Sequence, residues 1–186
     1  MNTSRERGFT LIELMIGLAI FAILILIAGP MYADFMGNSQ IRNGAENALM
    51  GVRLAQAEAL RGNTQAQFVL DTSPAGGWQV TRWNDETASF DTVHPVQSYK
   101  WSDGAAKTTV TANPGTATEV TFNGLGRVID NPDAGARVKW IEVTNTTISS
   151  PRKLRVVVDS VTPSGIRLCD PAPTVASDDP RVCPAS

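Results

Sequence analysis

One stretch limits what this chain can fold into: RGFTLIELMIGLAIFAILILIAG, residues 7–29. The apolar run extends from Phe9 to about Ala33. Roughly 20 apolar residues are enough for a helix to cross a bilayer core. Arg5 and Arg7 precede the run. Positive charge stays on the cytoplasmic side, so the rest of the chain is expected outside. Two simpler readings compete. A cleaved secretory signal has an apolar core of about 7–15 residues and a small-residue cleavage site. This run is longer, and at Met31-Tyr32-Ala33 the upstream position is a bulky Met. A plain signal anchor satisfies the hydropathy but leaves Glu13 unexplained.

Glu13 is the fifth residue of the run. A charge at the centre of a membrane helix costs about 2.5–3.5 kcal/mol on insertion scales, less towards the interface. Such a residue is by default functional and calls for a partner. If the chain is cut after Gly8, Phe9 acquires an amine, and residues four apart share a helix face. That amine, from the same chain or a neighbour, would offset Glu13. In the second case Glu13 senses assembly.

RERGFTLIELMIGLAIFAIL resembles the class III signal of type IV pilins and type II secretion pseudopilins: a short basic leader, a Gly, then Phe-Thr-Leu-Ile-Glu and an apolar run. The resemblance implies a leader of residues 1–8, cut after Gly8 by a prepilin peptidase in the bacterial inner membrane. It implies N-methylation of Phe9 by the same enzyme, which leaves the amine charged. It assigns Glu13 to pairing with a neighbouring N-terminus. Pro30 stands where these families often kink the helix; it lacks an N–H and crowds the Leu26 carbonyl. Beside Gly29, this is the expected place for a bend or local melting. The implied partners are the peptidase, membrane lipid, an inner-membrane assembly platform, and other minor and major pilins or pseudopilins. No cofactor is implied.

Beyond the apolar helix of 9–33, residues 34–62 turn amphipathic. Ile41, Ala45, Ala48, Leu49, Val52, Ala55 and Ala59 recur at three- and four-residue steps, with Arg42, Glu46, Arg53, Gln56 and Glu58 between them. Gly62-Asn63 is a stop signal. One helix of about 80 Å is expected. Residues 63–186 read as a β domain. AQFVLDT, GWQVTRW, EVTFNG, ARVKWIEVT and KLRVVVDSV carry strand composition, separated by Gly- and Pro-rich turns. In RVKWIEV, Val138, Trp140 and Glu142 are expected on one face, and Lys139, Ile141 and Val143 on the other. Residues 85–114 give no clear pattern. The expected fold is α+β: a long helix, transmembrane in its first half, packed on an all-β, sandwich-like domain.

A long helix before an all-β domain, with TFNGLGRV and GIRLCDP, resembles the GspH/FimT branch, home of FimU-like minor pilins. This implies a structural subunit that primes or caps a type IV pilus, with its domain in the periplasm and near the filament tip. A minor pseudopilin of type II secretion is the other reading. In an exported domain Cys169 and Cys183 are expected to form a disulfide. They close a loop of about 15 residues, worth roughly 3 kcal/mol. A metal is not expected, since one histidine and two distant cysteines lack zinc-ligand spacing. His94 reads as a loop residue. Gly124-Leu125-Gly126 lacks the third glycine of a dinucleotide fingerprint and reads as a turn. Asn145-Thr146-Thr147 is a formal sequon with no meaning in a bacterial chain. Asp178 and Asp179 read as solvated acids of a polar tail. No credible triad exists, so there is no case for an enzyme.

Nucleic acid is the remaining candidate partner. The net charge is -2, so any case must be local. Arg152, Lys153, Arg155 and Arg167 form a positive excess capable of binding phosphate. FimT-type pilins that bind DNA use Gly-Arg-x-Arg before the Leu-Cys of the tail. Here Ser164, Gly165, Ile166 and Arg167 stand at those positions, so only the last arginine matches.

Overall fold

The computed structural model describes residues 9–158, 165–172 and 179–184. A single helix, α1 (Leu11–Gly62), runs for 52 residues, or about 78 Å. Thr10 caps its start, and Asn63 closes its end in the left-handed region, donating back to the Ala59 and Leu60 carbonyls. The helix is continuous through Gly29 and Pro30.

Every described side chain from Phe9 to Gly29 is exposed. The expected stripe is buried from Ile41 to Ala59, with Leu49 packed at its margin. Glu58 departs from the expected polar set, because it too is buried. Helix and domain meet from Asp34, which accepts from the Ser149 N–H, and approach closely at Gly37. A Cβ there would lie 2.5 Å from Ile148, so only glycine allows this approach.

The domain holds two antiparallel sheets that both bear on the second half of α1. The first contains β1 (Ala66–Leu70), β2 (Gly77–Asn84), β3 (Ser89–Phe90), β4 (Gln97–Lys100), β6 (Glu119–Phe122) and β7 (Val128–Ile129). The second contains β5 (Thr109–Asn113), β8 (Trp140–Thr144), β9 (Leu154–Val158) and β10 (Ile166–Cys169), in the order β10-β9-β8-β5. In the first sheet Phe68 is level with Val80 and Val120, and Trp78 with Leu70 and Tyr99. This face meets α1 at Gly51. Its opposite face buries a polar row of Gln67, Thr81 and Thr121. There Gln67 donates to Glu119 at 2.9 Å and Thr121 to Asn131 at 2.9 Å.

In the second sheet Ile141 and Val143 point inward, while Trp140 and Glu142 lie on the other face, as the alternation requires. Val138 breaks the expected alternation and is buried. It precedes the strand, where the chain crosses between sheets: its N–H reaches the Glu119 carbonyl, and that of Lys139 reaches Asn113. Residues 85–114 hold β3, β4, a 3-10 turn (Trp101–Asp103) and β5. Asn123 organises the β6–β7 turn by accepting from Leu125 and Arg127, with Gly126 at φ 70°.

Candidate functional site: the head of the anchor helix

Thr10 is extended (φ -81°, ψ 155°), which sets the entry to α1. Its N–H and hydroxyl both donate to Glu13 Oε2, at 2.8 and 2.9 Å. The Glu13 N–H returns a bond to Thr10 Oγ1 at 3.3 Å. This is a capping box, satisfying two of the donors that a helix start leaves open. The Thr-x-x-Glu signature stands openly in the sequence, yet hydropathy reasoning passed over it.

The box changes how Glu13 meets an amine. Phe9 precedes the cap and is outside the helix, so the four-residue helical spacing to Glu13 does not apply in this chain. Oε2 already serves Thr10. A carboxylate offers about four acceptor sites. Oε1 takes no hydrogen bond among the described residues and stays open to a donor from elsewhere. Phe9 is 92% exposed, in line with the bare apolar helix behind it. Gly8 lies outside the described residues. Gly29 and Pro30 are helical, and a Cβ at Gly29 would meet nothing within 4 Å.

At the other end, Cys169 and Cys183 are joined by a disulfide. It ties the tail to β10, and Asp170 pairs with Val182 beyond it. Asp179 binds Arg181 at 2.6 Å, which lowers its pKa to about 2. Asp178 lies outside the described residues. His94 is an exposed loop residue, 3.3 Å from Asp91.

Three of the four basic residues, Lys153, Arg155 and Arg167, share the outer face of the second sheet around Glu142 and Trp140. Arg155 binds Glu142 at 2.7 Å and stacks over Trp140 at 4.1 Å. Lys153 lies 3.7 Å from the same carboxylate. Arg167 is exposed, level with Val157 and Trp140 across the sheet. Arg152 lies apart, at a groove against α1. Of the motif positions, Ser164 lies outside the described residues. No acid, histidine and cysteine group among the described residues is arranged to hold a metal ion.

A bare apolar helix with a carboxylate at its head, continuing into a domain of antiparallel sheets, defines a subunit of the type IV pilin superfamily. Residues 3–29 match the prokaryotic N-terminal methylation motif. Residues 44–165 match the model for the type II transport protein GspH, and the chain belongs to that family. A fimbrial protein of Dichelobacter nodosus is 34% identical over 123 residues, covering 62% of this chain and 72% of that protein. A fimbrial protein of Pseudomonas aeruginosa is 31% identical over 126 residues, covering 59% of this chain and 82% of its own. Among solved structures, the type IV minor pilin FimU of Pseudomonas aeruginosa is similar at a TM-score of 0.44 and 14% identity. The match covers 72% of this chain and 96% of FimU.

Proposed function

We propose that this chain is a minor pilin, a structural subunit that primes or caps a type IV filament. It is made as a precursor in the bacterial inner membrane with residues 1–8 inside. Prepilin peptidase cuts after Gly8 and methylates Phe9. Assembly then moves residues 9–29 from lipid into a bundle of neighbouring helices, while the β domain, in the periplasm, ends near the tip. The methylation-motif match supports the processing step. The fimbrial relatives support a pilus over other filaments.

One observation carries the reading: the open Oε1 of Glu13 at the head of a helix that its own domain leaves uncovered. Oε2 holds the cap and Oε1 is directed to the amine of the next subunit. A buried charge pair of this kind argues for register more than for stability. The capping box supplies the discriminating test. Gln at this position retains an acceptor for the cap but carries no charge. Glu13→Gln and Glu13→Val are both expected to insert and to be cleaved, and both to fail in filament incorporation. Incorporation of the Gln variant at the wild-type level would leave Glu13 with a capping role alone. The N-terminal mass of the membrane-extracted chain tests the processing. A chain starting at methylated Phe9 supports the reading, and an intact Met1 overturns it.

The GspH match favours a second reading, a minor pseudopilin of type II secretion. Deleting the protein separates the two. Loss of surface pili with normal enzyme secretion supports the pilus, and the reverse result supports the secretion system.

A further inference from the structure

We propose that the groove between the domain-side start of α1 and the disulfide-bonded tail takes the headgroup of an anionic phospholipid, holding the domain against the bilayer before assembly. The inference rests on reading α1 as a membrane anchor.

The groove lies close to the end of the apolar run. Asp34 accepts from the Ser149 N–H at 2.9 Å, and Asn38 accepts from the Arg152 N–H at 2.8 Å. Asn38 also donates to the Ser150 carbonyl at 3.2 Å. These bonds fix segment 149–152 to the helix within about one and a half turns past Ala33. Asn38 stands about 7.5 Å beyond Ala33 along the axis. Each headgroup layer is about 5–8 Å thick. Arg152 therefore sits at its outer edge, within reach of a long side chain that extends toward the interface.

The chemistry of the groove suits an amphipathic anion. Its volume is about 530 Å³. Arg42, Arg152 and Arg181 bring guanidinium groups to it, and Phe35, Leu154 and Leu168 give it apolar walls. Phe35 is 70% exposed and follows the exposed Met31 and Tyr32, so the apolar wall continues the surface of the anchor. Arg152 has no ion-pair partner among the described residues. Arg42 and Arg181 pair with Glu46 and Asp179, but with 73% and 69% of their side chains exposed. The Arg42 pair is a single exposed contact that a phosphate can replace, whereas Arg181 is held by Asp179 in a bidentate pair and brings its remaining donors to the groove. Among the described residues Asp170 is the one acid lining the groove, and one of its oxygens accepts from the Ala172 N–H. Guanidinium groups suit phosphate oxygens through their planar donor fork. A free phosphate would make no use of the apolar walls.

The test uses the full chain in nanodiscs of phosphatidylcholine, with and without phosphatidylglycerol. A photoreactive phosphatidylglycerol analogue is added and labelled peptides are mapped by mass spectrometry. Label is expected on the peptides carrying Phe35, Arg152 and Arg181, displaced by unlabelled phosphatidylglycerol and not by free glycerol phosphate. Each neutralised arginine is expected to lower labelling about fivefold. Arg152→Gln should show this, and Arg152→Gln with Arg181→Gln should show more, while both variants keep the disulfide and enter discs. Label spread evenly over the domain overturns the proposal, as does label indifferent to Arg152→Gln. Displacement by glycerol phosphate makes the groove a soluble-anion site and overturns it too. Cross-links from one chain to another without lipid label give the groove to a neighbouring subunit. A chain that fails to enter discs at all overturns the anchor reading itself, and this proposal with it.

Discussion

Glu58 lies on the buried side of α1 with 11% of its side chain exposed, 2.8 Å from Arg61 and 2.6 Å from Arg82. The Arg61 hydrogen bond lowers its pKa against the opposing effect of burial, and Arg82 lowers it further. A carboxyl group depressed in the fold stabilises it above the unfolded value of 4.5 and loses that contribution as pH falls through the folded value. Glu58→Ala removes charged hydrogen bonds and is expected to cost about 2 kcal/mol at neutral pH, measured by denaturant unfolding of the full chain in detergent. Glu119 behaves in the opposite sense. Burial raises its pKa and the Asp133 charge adds to this, against the Gln67 hydrogen bond. The folded chain then binds this proton more tightly than the unfolded chain does. Stability therefore falls as pH rises from 4.5 through the folded value. Glu119→Gln keeps an acceptor for Gln67 and removes the repulsion. It is expected to leave stability equal or higher at neutral pH and to flatten the pH dependence above 4.5. A marked loss at neutral pH would show the carboxylate to be needed in ionised form. Neither burden was legible in the sequence. Arg82 is 24 residues from Glu58, and Gln67 is 52 from Glu119, so only the packing of α1 on β2 and the register of β1 with β6 bring these groups together.

The elements were legible where one chemical pattern persisted. The apolar run and the 41–59 stripe gave α1 its bounds to within a residue or two, because both are long and periodic. The five strands richest in Val and aromatic residues were legible for the same reason. Five others were not, because β3 and β7 are two residues long and β4, β5 and β10 are polar or cut short by turns. Their pairing follows from strands already in place. Helix packing also depends on a feature that periodicity does not show. Gly51 faces the core, and a Cβ there would lie 2.7 Å from both Phe68 and Trp78. Those rings are 5.9 Å apart, and Trp78 in turn stacks on Tyr99 at 6.0 Å, so none can yield freely. Gly51→Val is expected to destabilise by about 1–3 kcal/mol through overpacking. Gly29→Ala, which meets nothing, should leave domain stability unchanged. Equal unfolding midpoints for the two variants would show that α1 does not pack on the first sheet at Gly51.

At the scale of the whole molecule, the two ends do different work. The head of α1 is left bare by its own domain, whereas the tail is fastened back onto it. The fastening matters because β10 is an edge strand, paired among the described residues with β9 alone and held to α1 by the bond from Arg53 to the Ile166 carbonyl at 3.3 Å. Beyond β10 the chain returns through the Asp170–Val182 bridge to Cys183. The tail sequence PAPTVASDDPRVC has no periodic apolar face, so packing alone has little to hold it. The disulfide therefore contributes mainly by restricting the unfolded chain. The sequence separation of 14 corresponds to about 3 kcal/mol. Cys169→Ser with Cys183→Ser is expected to lower unfolding stability by about that amount. Because Cys169 is only 3% exposed, the loss should appear first as faster hydrogen exchange in β10 and at residues 179–184, with α1 and the first sheet nearly unchanged. Exchange that rises equally in both sheets would mean that the bond supports the whole domain. Unchanged exchange in β10 would mean that its pairing with β9 and the Arg53 contact suffice without the bond.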